Sequence, residues 1–150
     1  MKKFELTAET KINVFGKELF RIKALISFGD VKEGDVGGWI EKEKNLSHSD
    51  NAWVYDNAEV YGNAEVYGNA RVSGNADYAT IHGFGTKFRT TTFFRCKDKQ
   101  VRVCCGCFFG TIPEFREQVK KTRGGRIAEE YLMIADLMEK HFTEEKEGGE

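Results

Sequence analysis

The sequence predicts a mainly β protein organised around a short parallel β-helix, and three observations in its middle third predict it. Valine recurs every sixth residue, at 54, 60, 66 and 72. Alanine stands two positions before each, at 52, 58, 64 and 70, and again at 76, while Ile40 and Leu46 extend that series backward with larger residues. Gly-Asn pairs such as Gly62-Asn63 and Gly68-Asn69 separate the units. A period of six matches neither a 3.6-residue helix nor a plain hairpin array; it suits a chain that runs straight, turns a corner and repeats. Glycine and asparagine tolerate the positive φ of a tight corner. Side chains alternate along an extended segment. The alanines and valines should therefore face one interior, with Trp53, Tyr55, Glu59, Tyr61, Glu65, Tyr67 and Arg71 facing out. Residues three repeats apart should stack, Val54 over Val72 and Trp53 over Arg71.

The flanks read as end pieces, which a solenoid needs. Residues 1–38 form an N-terminal strand cap. Its candidate strands are Phe4-Glu5-Leu6, Lys11 to Val14 and the alternating Leu19 to Ile26, with a turn at Phe15-Gly16-Lys17. Residues 39–82 are the hexapeptide β-helix. Residues 83–142 read as a ββαα unit: Lys87 to Cys96 and Gln100 to Cys105 pair around Asp98-Lys99, and two helices follow. A two-residue loop there would put Thr90, Thr92, Phe94 and Cys96 on one face with Val101, Val103, Cys105 and Cys107; one more residue reverses the assignment. Thr111-Ile112-Pro113-Glu114 is a capping-box signature for a first helix that runs to Lys121 and buries Phe115 and Val119. Gly124-Gly125 breaks the chain. A second helix, Arg126 to Phe142, places Ile127, Tyr131, Ile134 and Met138 on one stripe. Residues 143–150 read as a disordered acidic tail.

At 150 residues with 40% hydrophobic and 31% charged side chains, the chain has ordinary globular composition. No apolar run reaches the roughly 20 residues of a membrane span, and the charged Met1-Lys2-Lys3-Phe4-Glu5 start is unlike a signal peptide. A cytoplasmic protein with reduced cysteines is the expectation. The net charge of −1 conceals segments of +1 (1–38), −4 (39–82), +5 (83–142) and −3 (143–150). With no recognised motif and so little net charge, sequence-specific nucleic-acid reading is not expected.

The units Val54 to Ala58, Val60 to Ala64 and Val66 to Ala70 resemble the hexapeptide-repeat proteins, in which an aliphatic residue precedes a small one by four positions. That resemblance implies a left-handed helix of triangular section and, by analogy, a homo-oligomer, a trimer among them. A broader set of segments is similar to an uncharacterised family common in bacteriophage and prophage genomes, often labelled transferases because of the repeat. These are Leu19 to Leu25, Gly37-Gly38-Trp39-Ile40-Glu41, Asn45-Leu46-Ser47, the hexapeptides, Arg89 to Phe94 and Cys105 to Thr111. The resemblance implies a phage or prophage protein, which would act in the host cytoplasm, and no settled activity comes with it; a role against host defence is an expectation added to it.

Three constellations bear on chemistry. Acyl transfer, usual for hexapeptide enzymes, would need a histidine base, here His48 or His82, with His141 at a helix end. Cys96, Cys104, Cys105 and Cys107 lie close together, but their adjacent and C-x-C spacing departs from the C-x₂₋₄-C of structural zinc. Small buried thiols filling a core are the plainer reading, and no metal or cofactor is expected. The third is His82-Gly83-Phe84-Gly85-Thr86-Lys87-Phe88-Arg89-Thr90-Thr91-Thr92. Glycines admit close approach, hydroxyls donate hydrogen bonds, and arginine grips phosphate or carboxylate bidentately. Arg116, Lys120, Lys121, Arg123 and Arg126 add to the local field. His82, Gly83, Gly85, Arg89, Thr90, Thr91 and Thr92 are thus the expected ligand contacts. The leading expectation is a non-catalytic binding protein that takes a small anionic, nucleotide-derived immune signal or a host protein. A hexapeptide-type acyltransferase and a virion component are the alternatives.

Overall fold

Two alternating segments near the N-terminus, β1 (Phe4–Ile12) and β2 (Glu18–Ala24), pair antiparallel in the computed structural model, which describes residues 2–74, 77–87, 89–106 and 108–143. The Asn13 side chain closes their turn by accepting hydrogen bonds from the backbone N–H groups of Phe15 and Lys17 at 2.9 and 3.0 Å. β3 (Val36–Ile40) lies antiparallel to β2. The repeat region then supplies three strands of only two residues each: β4 (Trp53–Val54), β5 (Glu59–Val60) and β6 (Arg71–Val72). β5 joins β3 in parallel, giving the order β1-β2-β3-β5, and β4 pairs with β6 in parallel as a separate two-stranded sheet. A second four-stranded sheet, β10-β9-β8-β7, is antiparallel throughout. It comprises β7 (Tyr78–Phe84), β8 (Arg89–Arg95), β9 (Val101–Cys105) and β10 (Phe108–Thr111). Helices α1 (Ile112–Thr122) and α2 (Gly125–Phe142) follow. Thr111 caps α1 as its sequence predicts: its hydroxyl accepts from Glu114 N, and the Glu114 carboxylate accepts from Thr111 N at 2.8 Å.

The left-handed parallel β-helix expected from the repeat is not what the chain forms. Its strands belong mostly to antiparallel and mixed sheets, the one purely parallel sheet being the two-residue pair β4 and β6. The parallel contacts in the repeat region are short: two paired positions each at Ile40 with Val60 and Val54 with Val72, and a single bridge at Leu46 with Val66. Stacked repeats need about three units to bury their faces, and here antiparallel partners intervene at both ends. β2 takes the far edge of β3, and Ala70 bridges antiparallel to Cys96. The phase also slips. Spacing puts Ile40 and Leu46 in the alanine series, yet they lie beside valines. The C-terminal unit differs too, having four strands before its helices rather than two. β7 runs across the boundary expected at 82/83. Asn75, Ala76, Phe88, Cys107 and the acidic tail from Glu144 onward lie outside the described residues.

What the repeat does specify is an interior. Ala52, Ala58, Ala64, Ala70, Val54, Val60, Val66 and Val72 are all buried, and Gly62, Gly68 and Asp56 take the positive φ of corners. Trp53, expected outside, is 2% exposed, because Phe4 and Phe28 pack edge-on against its ring. The β8–β9 loop decides how the sheet is shared. Arg95 pairs with Val101, so the loop is the longer one, with Lys99 at φ 70°. Phe94, Cys96 and Cys104 therefore face the repeat interior, while Phe93, Val103 and Cys105 face α1 and α2.

The N-terminus is pinned by a buried charge. Lys3 Nζ donates to the carbonyls of Asp50 (2.8 Å) and Ala52 (2.7 Å), and lies over the Phe28 ring. Burial pulls its pKa down from 10.5 to about 8, against the opposing pull of the Asp50 carboxylate. Between those values the unfolded chain holds a proton that the folded chain has released, so the Lys3 contribution to stability grows as pH rises from about 8 to 10.5. Chemical denaturation should show this rise in the wild type and lose it in Lys3→Met, which also strands two buried carbonyls at about 1–3 kcal/mol. Leu46→Ala, at a fully buried rung, should cost about 2–5 kcal/mol, and Leu137→Ala on the surface about 0.5 kcal/mol or less. Equal urea midpoints for those two variants would contradict the placement of Leu46.

Candidate functional site

Arginine pairing singles out one place on the molecule. Arg71, Arg95, Arg102, Arg116 and Arg126 meet the carboxylates of Asp30, Asp77, Asp98, Asp136 with Glu139, and Glu130. Arg21 is held by the carbonyls of Gly37 and Asp56 at 2.9 and 2.8 Å. Arg89 and Arg123 have no carboxylate partner among the described residues. Both line one cleft of about 560 Å³ between the β8–β10 part of the second sheet and the two helices. Arg89 opens β8, and Arg123 is the C-cap of α1.

The cleft mixes these charges with an apolar wall. Phe108, Phe115 and Val119 supply the wall, and Gln118, Thr122, Cys105 and Tyr131 supply polar atoms. Tyr131 is buried on α2, with its ring edge-on to Phe115. Burial, with the neighbouring Cys105 thiol, raises the pKa of its hydroxyl, while the positive charges of Arg123 and Arg89 act to lower it. Both guanidinium groups are therefore close enough to be felt at one hydroxyl. A small anion in the cleft has two guanidinium groups in the lining to draw on, while the Tyr131 hydroxyl is engaged with Cys105. Among the described residues, the lining has no histidine and no carboxylate that could act as a general base.

The residues expected as ligand contacts divide into three groups. His82, Arg89 and Thr90 come together, His82 Nδ1 lying 2.8 Å from Thr90 Oγ1, in a polar groove of about 320 Å³ on the other side of Arg89. Lys44, Asn63 and Glu65 line it too, and Arg89 is common to groove and cleft. A Cβ at Gly106 would lie 2.6 Å from its Nη1, so a larger residue there would push the guanidinium aside. Thr91 and Thr92 are 1% exposed and serve the interior: Thr91 Oγ1 donates to Cys105 Sγ, and Thr92 Oγ1 accepts from Glu65 N. Gly83 and Gly85 shape the backbone. Gly83 is the bulge between the His82–Thr90 and Phe84–Arg89 pairs, at φ 99°, and a Cβ at Gly85 would lie 2.5 Å from the Tyr131 hydroxyl. Arg123 was visible in sequence only as part of a basic field. Tyr131 and Gln118 carried no signal, because helix packing alone brings them to the sheet.

The other candidates are committed elsewhere. The His48 ring stacks on Phe4 at 4.0 Å; its Nδ1 accepts from Lys3 N, so Nε2 carries the proton and donates to Glu43 Oε1 at 3.1 Å. Cys96 and Cys104 sit on one sheet face and Cys105 on the other. No group of three His, Cys, Asp or Glu residues among those described could hold a metal ion. No helix among them is long and apolar enough to cross a membrane. No protein-family model matches this chain, and no curated protein matches it either.

Burial raises the pKa of Cys96 and pushes Cys104, which lies 2.8 Å from the Tyr67 hydroxyl, up to about 12. Neither thiol should ionise at pH 8. Peptide mapping after brief iodoacetamide treatment should find both unmodified in native protein and fully modified in denaturant. Rapid native labelling at Cys104 would refute its burial.

Proposed function

We propose that this chain is a non-catalytic binding protein that holds a small anionic ligand of the nucleotide class in the Arg89–Arg123 cleft. The observation that carries the reading is that these two arginines, unlike the other six, lack intramolecular acceptors among the described residues and line the same concavity. Unpaired guanidinium groups converging on one cleft leave a positive field that a phosphate or carboxylate neutralises. The cleft volume falls within the roughly 300–1,000 Å³ usual for small-molecule sites. Its aromatic wall suits a flat ring beside the anion. The phage-type resemblance supports sequestration of a host signal as the biological setting. Acyl transfer is less well supported, since His48 is tied on both ring nitrogens and His82 lies outside the cleft.

Titration calorimetry with mononucleotides, cyclic dinucleotides and inorganic phosphate tests this reading. Charge-assisted hydrogen bonds contribute about 1.5–3 kcal/mol each. Arg89→Ala and Arg123→Ala should therefore each weaken binding by roughly 10- to 150-fold, while Arg126→Ala, whose guanidinium is satisfied by Glu130, leaves it unchanged. Binding unaffected by both cleft variants would sink the proposal. So would turnover of an acyl donor that vanishes on replacing His82.

A further inference from the structure

Helix α2 has two faces. The inner one buries Tyr131, Ile134, Ala135, Met138 and Phe142. The outer one carries Met133 and Leu137, 68% and 55% exposed, one turn apart on the same stripe. Isolated exposed apolar residues are commonplace; what flanks this pair is not. At 3.6 residues per turn, Glu129 lies on the stripe one turn before Met133, and Lys140 nearly one turn after Leu137. Both are exposed, and neither has an ion-pair partner among the described residues. The other acidic residues of α2 are engaged, Glu130 with Arg126, and Asp136 and Glu139 with Arg116.

We infer that this face docks against the same face of a second copy of the chain, the two α2 helices running antiparallel about a two-fold axis near Ala135. A two-fold axis requires a patch that complements itself. Reversal about residue 135 lays Met133 of one protomer on Leu137 of its partner. It also sets Glu129 against the partner's His141 and Lys140. The sequence Glu129, Met133, Leu137, Lys140 then reads acidic–apolar–apolar–basic in one direction and its complement in the other. A parallel arrangement would oppose like charges. α2 is about 27 Å long at 1.5 Å per residue, less surface than a standard interface of about 800 Å² per partner, so the dimer is weak and concentration-dependent. The contact leaves the Arg89–Arg123 cleft free, because Tyr131 reaches the cleft from the opposite side of α2.

Sedimentation velocity of the full chain from micromolar to millimolar concentration, at low and high salt, tests the inference. Wild-type protein should move from monomer to dimer and dissociate as salt is raised. Glu129→Lys and Lys140→Glu should each weaken dimerisation by tenfold or more. Glu129→Lys combined with Lys140→Glu should recover it, since exchanging both charges preserves antiparallel complementarity. Met133→Lys should abolish it. All four positions are solvent-facing, so circular dichroism should show unchanged folding. A monomer at every concentration, a trimer or larger species, or a dimer indifferent to the charge exchange would each overturn the inference.

Discussion

The pleat of the β8–β9 hairpin governs what lies on either side of it. Successive side chains of a strand point to opposite faces, so Phe93 and Phe94 enter two different interiors. Phe94, Cys96 and Cys104 close the repeat region, where the alanine and valine rows would otherwise end against water. Phe93, Val103 and Cys105 form the floor on which α1 and α2 rest. A hairpin register shifted by one residue would exchange these sets. It would also exchange the interiors that Thr91 and Thr92 face and place Cys105 away from the cleft. The three-residue loop, with Lys99 in the left-handed conformation, is what holds the register.

The same sheet explains why the cleft is charged. Arg89 stands at the first position of β8, beyond the apolar segment and next to the glycine bulge, where the sheet no longer needs hydrophobic cover. Arg123 stands at the opposite kind of boundary, the end of α1, where the helix releases the chain before Gly124. Two element ends thus converge, each free of the packing demands that govern its middle. Neither has a carboxylate at ion-pair distance among the described residues, in contrast with the surface arginines, which neutralise neighbours at 2.6–3.1 Å. Exposed pairs of that kind contribute little to stability. Leaving two arginines without them sacrifices little and keeps a field available for a ligand.

Local signals carried much of the architecture. The capping box at Thr111–Glu114, the break at Gly124-Gly125, the inner stripe of α2 and the hairpin at Phe15–Lys17 were all legible, because each is settled by residues within about one turn of one another. The six-residue period likewise determined that the alanines and valines are buried, though not that Trp53 is. It did not determine how the coils pair. Burial needs only a common interior, and any partner offering an apolar face can supply one. Here β2, Phe4 and the Ala70–Cys96 bridge do so in place of further repeats, which is why the expected solenoid gives way to mixed and antiparallel sheets. Of the site, His82, Arg89 and Thr90 could be picked out by type and clustering, whereas Thr91 and Thr92 look equally suitable in sequence and prove to be internal.

By itself, then, the sequence determined the burial of the repeat alanines and valines, the ends of both helices and the basic stretch from 83 to 142. Those properties depend on spacing and local chemistry. Only the tertiary structure decided the strand partners, the loop length that assigns Cys104 and Cys105 to opposite faces, and the meeting of Arg123 and Tyr131 with Arg89. The last of these joins residues more than thirty positions apart, and the others rest on pairings between separate strands. No local pattern specifies such contacts, and they arise only when the helices settle on the sheet.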